Sequence, residues 1–169
     1  AGSGNRAWIY PCEFLVLGGG VMQQVIQLAA AAAGSFGFAA LFNIRGEKLA
    51  IATFGGFFSW GVYLFAGIFT QNAYFCGFAA SVMLTLYAEG MARIHKTPVT
   101  VFLVSAAIPL IPGAALYRSM NALLQRQWDV CLEECIYTLM FAISMSAGIT
   151  VTTLIFRSIW KIVYRQRRF

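Results

Sequence analysis

Long apolar runs, separated by short polar turns, dominate the pattern along this chain. Each run is about 20 residues long, which is the length a helix needs to cross the hydrocarbon core of a bilayer. The runs do not alternate between apolar and polar positions as the strands of a membrane barrel do. The pattern therefore predicts an all-α integral membrane protein with about five transmembrane helices. The predicted spans cover residues 16–42, 49–69, 73–91, 99–120 and 136–156.

The same pattern divides the chain into three parts. Residues 1–15 form an N-terminal segment whose opening Ala-Gly-Ser-Gly is typical of an expression linker. Residues 16–157 form one transmembrane domain, within which residues 121–134 mix polar and apolar positions and predict an interfacial helix or a short cap at the outer surface. Residues 158–169 form a basic tail in which aromatic residues stand between cations, as at a cytoplasmic interface.

The fourth span contains a helix-breaking motif, with Pro109, Pro112 and Gly113 close together. Proline removes a backbone donor and clashes with the preceding turn, so span four is predicted to be broken between Pro109 and Gly113. Inside a bilayer such a break is tolerated only where protein or a water-filled cavity satisfies the freed backbone groups. Transporters commonly build substrate sites at breaks of this kind. The alternative is a proline kink that only shapes packing.

Composition agrees with a membrane protein. Of the 169 residues, 60% are hydrophobic and 11% are charged, and the mean hydropathy is +0.73. Soluble domains carry about 25% charged residues. The net charge of +6 does not indicate nucleic-acid binding, because lysine and arginine in membrane proteins usually mark the cytoplasmic face.

Basic residues gather on one side of the five-span arrangement, whereas the other side keeps Arg6, Arg118, Arg126 and most of the acidic residues. The positive-inside rule then predicts an N-terminus outside and a C-terminus in the cytoplasm. The basic residues on the predicted cytoplasmic side are Arg45, Lys48, Arg93, Lys96, Arg157, Lys161, Arg165, Arg167 and Arg168.

Catalytic and metal-binding patterns are not visible in the sequence. His95 is the single histidine, which makes a His-dependent triad or a histidine-rich metal site improbable. The four cysteines are scattered, and the Cys131–Cys135 spacing alone is a weak metal signal. We therefore expect no enzymatic activity, no catalytic residue, no metal and no cofactor.

Polar residues within or beside the apolar runs are the informative ones. Gln23 and Gln27 are four residues apart on one helical face, where they either bond a neighbouring helix or line a polar path. Asn43 is a third candidate for that path, although helix termination is the better explanation of its place at the end of span one. Glu89 stands four residues before Arg93, which suits an ion pair or a proton-coupling carboxylate.

The geometry of the predicted break favours an anionic ligand. The second half of span four begins near Gly113, and its free N–H groups carry the positive end of the helix dipole. Tyr117 and Arg118 follow one turn later and could supply a hydroxyl and a guanidinium to a carboxylate. Arg118 could instead face the outer lipid headgroups. The predicted substrate-binding residues are Pro109, Pro112, Gly113, Tyr117 and Arg118.

Small residues recur four positions apart in three of the spans. The pairs are Ala30 and Gly34, Ala33 and Gly37, Gly77 and Ser81, and Ser144 and Gly148. Such spacing lets helix backbones approach closely. These faces are expected to pack on other helices, either within the chain or in a homo-oligomer or partner complex.

Three stretches resemble the threonine/serine exporter family, and more closely its small-subunit (YjjB-like) half, over most of the chain from about residue 34. They are the run Gly37-Phe38-Ala39-Ala40-Leu41-Phe42-Asn43, the turn containing Glu89, Ala92-Arg93 and Lys96-Thr97-Pro98, and Ile108-Pro109-Leu110-Ile111-Pro112-Gly113 followed by Tyr117. The Pro-x-x-Pro-Gly motif with its following tyrosine is the most specific part.

This resemblance implies a secondary exporter of the bacterial inner membrane for small carboxylate metabolites. Threonine and serine are the name-giving substrates, and a two-chain relative is associated with the dicarboxylate succinate. Because the chain resembles one half of the family's longer members, the resemblance implies a separate large-subunit membrane partner. It assigns no binding residue by itself.

Two other functions remain open on the sequence. The chain could be a non-transporting scaffold subunit whose partner performs all transport. It could also be a homo-oligomeric channel lined by polar residues of span one, such as Gln23 and Gln27.

Overall fold

The computed structural model describes residues 21–70 and 72–166, and within them the chain forms six α-helices and one 3₁₀ turn. The predicted N-terminal segment and the start of span one lie outside these residues. The helices are α1 (Val21–Leu41), α2 (Glu47–Phe69), α3 (Ala73–Ile94), α4 (Val99–Ala107), α5 (Gly113–Leu124) and α6 (Trp128–Gln166), with the 3₁₀ turn (Ile108–Leu110) after α4.

Four of these helices are long and apolar enough to cross a membrane: α1, α2, α3 and α6. The fourth span of the sequence prediction is two helical pieces, Val99–Leu110 and Gly113–Leu124, which are bent by 55° relative to each other. Counting this bent pair as one span gives five spans. The all-helical fold and the broken fourth span are thus confirmed.

Helix α3 lies at the centre of the bundle, because its small residues let three other helices approach it. Cys76, Ala80, Leu84 and Ala88 are fully buried, and α2, α4 and α6 all pack on α3. The hydroxyl of Tyr87 reaches across to donate to the carbonyl of Ile51 on α2 at 2.8 Å. The interior therefore combines close helix contacts with a few large buried side chains, such as Leu84 and Phe102.

Helices α3 and α6 run parallel, as expected for the third and fifth of five successive membrane spans. Near the start of α3 the hydroxyl of Ser144 donates to the carbonyl of Tyr74 at 2.6 Å. Near its end the guanidinium of Arg93 lies 4.2 Å from the ring centroid of Trp160. Ile44, from the turn after α1, packs in one buried cluster with Ala92 near the end of α3. We call this end of the bundle, which carries most of the basic residues, the basic end.

Helices α1, α3 and α5 each end at a non-glycine residue whose backbone adopts the left-handed conformation. These residues are Asn43, Lys96 and Arg126, with φ angles of 58°, 49° and 55°. After α1 the amide of Asn43 donates to Ala40 O at 2.9 Å, and the amide of Ile44 donates to Ala39 O at 3.0 Å. This pair of bonds is the Schellman motif, so Asn43 does terminate its helix.

Two of the predicted small-residue faces meet each other, and the third stays open. Gly148 on α6 sits against Ser81 and the carbonyl of Phe78, so a Cβ at this glycine would collide with α3. On α1, by contrast, a Cβ at Gly34 or Gly37 would meet nothing within 4 Å.

The prediction of a separate interfacial helix over residues 121–134 is wrong. Asn121–Leu124 is the last turn of α5, the chain reverses at Arg126, and α6 begins at Trp128. The mixed pattern arises because the stretch contains the ends of two helices that pack antiparallel in a hairpin. Helix α6 then continues past the predicted span end at Phe156 as far as Gln166.

Replacing Gly148 by valine should destabilise the protein by about 1–3 kcal/mol, because overpacking a tight helix contact forces the backbones apart. The matched control is Gly34→Ala, for which the new methyl group meets open space. It should be neutral or stabilising by up to about 1 kcal/mol, because alanine is the better helix former. Thermal denaturation of the detergent-solubilised protein measures both. Equal losses would contradict the packing described.

Candidate functional site

The break in the fourth span follows directly from its two prolines. Pro109 and Pro112 each lack the N–H that would bond to the carbonyl four residues earlier. The carbonyl of Ile108 instead accepts from the amide of Ile111 at 3.1 Å. Ile111 is extended, with φ −66° and ψ 126°, and the helix resumes at Gly113.

Helix α2 holds the first half of the broken span in place. The hydroxyl oxygen of Ser59 lies 3.0 Å from the carbonyl of Ala106 on α4 and 3.0 Å from Gly56 O on its own helix, so its single hydrogen is shared between these two acceptors. Gly55 provides room for this contact, because a Cβ there would lie 2.9 Å from the Cβ of Ala106. The α4 end of the break is therefore fixed by a buried polar contact between helices.

A cavity of about 130 Å³ opens beside the break. Helix α2 contributes Trp60 and Tyr63, α6 contributes Tyr137 and Phe141, and α5 contributes Gly113, Ala114, Ala115 and Arg118. Residues 109–112 complete the wall. Four of the five residues predicted for substrate binding thus line one cavity.

Tyr117 is the exception among the predicted binding residues. Its side chain is 73% exposed and is not part of the cavity wall. The reason is helical geometry, because successive residues on α5 are turned by about 100° and Arg118 already faces the cavity. The break motif predicted the place of the site, but not this side chain's direction.

Arg118 is held by an acidic residue that the sequence did not single out. Its Nε and Nη2 donate to the two carboxylate oxygens of Glu134 on α6, at 2.7 and 3.2 Å. This is the two-pronged geometry that makes arginine–carboxylate pairs strong and well oriented. Arg118 therefore neither faces lipid headgroups freely nor stands unpaired in the cavity. Only the antiparallel α5–α6 hairpin brings these two residues together.

The cavity wall is mostly apolar and carries a few hydrogen-bond donors. The indole N–H of Trp60 is buried and has no hydrogen-bond partner among the described residues. No side chain caps the N-terminus of α5, where Ala114 and Ala115 line the cavity. Of the described residues that form the wall, none is acidic. A carboxylate is the small-molecule group that such donors accommodate best.

A second cavity lies on the other side of Pro112 and Phe141. It measures about 290 Å³, is more open than the first, and carries the hydroxyls of Ser146 and Thr150 on α6. Both cavities share Ile111, Pro112 and Phe141 in their walls. The break and one aromatic ring therefore separate two cavities.

The predicted polar-path residues do not come together. Gln23 is exposed, whereas both amide atoms of Gln27 are buried and have no hydrogen-bond partner in the described part of the chain. Asn43 lies at the basic end, about 30 Å along the axis of α1 from Gln23, where it accepts from Arg45 Nε at 2.9 Å. Of these three residues, only Gln27 is an interior polar group without a hydrogen-bond partner among the described residues.

Glu89 lies near the basic end of α3, away from the cavity at the break. It is 3% exposed, and its carboxylate is 3.5 Å from Nη2 of Arg93. The same guanidinium lies 4.8 Å from the ring centroid of Phe156 and stacks on Trp160. The ion pair expected from the i,i+4 spacing is present, and the carboxylate is also buried.

A comparison with protein families identifies the class of this chain. The model of the threonine/serine exporter family, ThrE, matches residues 27–155. The chain belongs to this family. The match includes the break, Glu89 and both members of the Arg118–Glu134 pair, and leaves Gln23 outside. No solved structure matches the chain. Family and fold together make it a membrane protein of an exporter family.

Replacing Ser59 by alanine should lower the stability by about 1 kcal/mol, because it removes the bond that satisfies Ala106 O inside the bundle. Ser105→Ala is the matched control, since this equally buried hydroxyl bonds only to Val101 O of its own helix. The control substitution should lower the stability clearly less than Ser59→Ala does. Denaturation midpoints of the two variants decide the comparison, and a larger loss for the control would contradict the interhelical role of Ser59.

Proposed function

We propose that this chain is a membrane subunit of a secondary exporter of small carboxylate metabolites, either threonine and serine or a dicarboxylate such as succinate. The observation that carries the proposal is the cavity at the break. Its wall includes the start of α5, which no side chain caps, together with Trp60 and Arg118. Family membership supports export of an amino acid in particular.

The substrate carboxylate binds at the start of α5 in this proposal. The first amides of a helix have no partner within the helix, and the dipole adds the equivalent of about half a positive charge. Gly113 leaves the backbone accessible, since a Cβ there would meet nothing within 4 Å. The buried indole N–H of Trp60, on α2, is the proposed further donor.

A rigid-body change at the break would supply alternating access. The two halves of the span already differ by 55° in direction, and the first half alone is tied to α2 through Ser59. Helix α5 packs chiefly on α6. Because α6 also packs on α3, the α5–α6 hairpin would have to slide along α3 around the bound substrate in this proposal.

The proposed orientation in a bacterial inner membrane places the basic end in the cytoplasm. The turns with Arg45 and Arg93 lie at this end, and so does the last part of α6, which contacts Arg93. Shared placement of these cations at one end supports the positive-inside assignment. The N-terminus is then outside and the C-terminus inside.

A large-subunit membrane protein of the same family is the proposed partner. The open face of α1 supports it, because Ala30, Ala33 and Gly37 are exposed and Gly34 has space above it. Small residues spaced in this way suit close contact with another membrane helix. A second copy of this chain is the alternative occupant.

The transport experiment compares Gly113→Leu with wild type in vesicles that contain the chain and its large-subunit partner. A leucine at the start of α5 blocks access to the backbone amides, so export of threonine or succinate should fall by about tenfold or more. Gly90→Leu is the control, because its Cβ position is equally open but lies on α3 near the basic end.

Unchanged flux in Gly113→Leu would remove the break from the mechanism. Loss of complex formation together with flux would indicate a scaffold subunit. Gradient-following flux from this chain alone, without a coupling ion, would indicate a channel.

Glu89 is the proposed coupling residue, since a buried carboxylate near a helix end can exchange a proton with one side of the membrane. In Glu89→Gln, an imposed proton gradient should no longer accelerate export, while exchange driven by the substrate gradient persists. Glu47→Gln, in the exposed first turn of α2, is the control. Full proton-driven export in Glu89→Gln would exclude this role.

A further inference from the structure

The Arg118–Glu134 pair determines how much charge the cavity at the break can neutralise. Both oxygens of Glu134 accept hydrogen bonds from Arg118. The side chain of Glu134 is 13% exposed and that of Arg118 is 34% exposed. Arg118 lines the cavity, whereas Glu134 stands behind it. Glu134 therefore acts on a ligand only through the guanidinium that it holds.

The charges at the cavity nearly cancel before any ligand binds. Among the described residues of the wall, Arg118 is the only charged one, and Glu134 compensates it. What remains is the partial positive charge at the start of α5 and neutral donors such as the Trp60 indole. This remainder suits one carboxylate. A second carboxylate would find no uncompensated cation in the wall.

We propose that Glu134 sets the charge selectivity of the site, so that the cavity accepts substrates with a single carboxylate and disfavours dianions. The inference rests on the proposed function, since it concerns the same site. Glu134 is a positioning residue here: it neutralises and orients Arg118 without touching the substrate. Without it, the full charge of Arg118 becomes available to a second carboxylate.

The pair also joins α5 to α6, and a purely structural role makes a different prediction. If Glu134 only stabilised the hairpin, its loss would weaken the binding of all substrates by the same factor. A charge-selecting Glu134 changes the ratio between substrates of different charge. The ratio of affinities is therefore the informative measurement.

The experiment measures equilibrium binding of radiolabelled threonine and succinate to the full chain in lipid nanodiscs. Wild type should prefer threonine, and Glu134→Gln should shift the affinity ratio toward succinate by about tenfold or more. Glu134→Asp keeps the charge and should keep the wild-type ratio. Glu133→Gln makes the same charge change at the neighbouring exposed position and should also leave the ratio unchanged.

A comparison on wild type alone covers the case in which Glu134→Gln does not fold. Monomethyl succinate carries one negative charge fewer than succinate, so wild type should bind the ester at least about tenfold more tightly. Equal or tighter binding of succinate would overturn the inference. An unmoved ratio in a folded Glu134→Gln variant, or an equal shift in Glu133→Gln, would overturn it as well.

Failure of the proposed function would look different. In that case no probe would show saturable binding to wild type or to any variant. Saturable threonine binding that is lost in Gly113→Leu, combined with an unchanged ratio in Glu134→Gln, would leave the proposed function standing and remove only the charge selection.

Discussion

The structure depends on one constraint: backbone polar groups in the bilayer interior must find partners within the protein. The prolines of the fourth span remove two backbone donors from a helix that would otherwise satisfy itself. Ser59 bonds the carbonyl of Ala106, the amide of Ile111 bonds Ile108, and Gly55 lets α4 approach closely. The other four spans are continuous helices among the described residues.

The features predicted from the sequence are those that local physics decides. Span positions follow from runs of apolar residues, the break follows from Pro109 and Pro112, and the end of α1 follows from the ability of asparagine to adopt a left-handed conformation. These predictions succeed because each depends only on residues within one or two helical turns of one another. Family resemblance was equally local, because it rested on short motifs such as Pro-x-x-Pro-Gly, and the family match confirms it.

The features that were missed are set by tertiary contacts. Trp60 and Glu134 reach the site only because α2 and α6 pack beside α5, and neither residue stands out in its own stretch. Their four-residue spacing places Gln23 and Gln27 on one helical face, yet only Gln27 lies inside the bundle. The turn at Arg126 lacks the glycine that usually marks a helix end, so the hairpin resembled a single interfacial segment.

The proposed site and the proposed coupling residue are well separated. The cavity lies level with Gly77, which packs under Phe141, and Glu89 lies twelve positions later on α3. That spacing corresponds to about 18 Å along the helix axis, too far for direct charge interaction with a bound carboxylate to dominate. Coupling between them would therefore have to pass through a moving element that touches both.

Helix α6 is one element with contacts at both places. It runs without interruption from Trp128 to Gln166. Near one end its Glu134 pairs with Arg118. Near the other end Phe156 and Trp160 pack against Arg93, which is the ion-pair partner of Glu89. An unbroken helix transmits rotation and axial sliding along its whole length. The break in the fourth span allows its two halves to change their relative angle, and the continuous helix α6 can carry that movement to the Glu89–Arg93 pair.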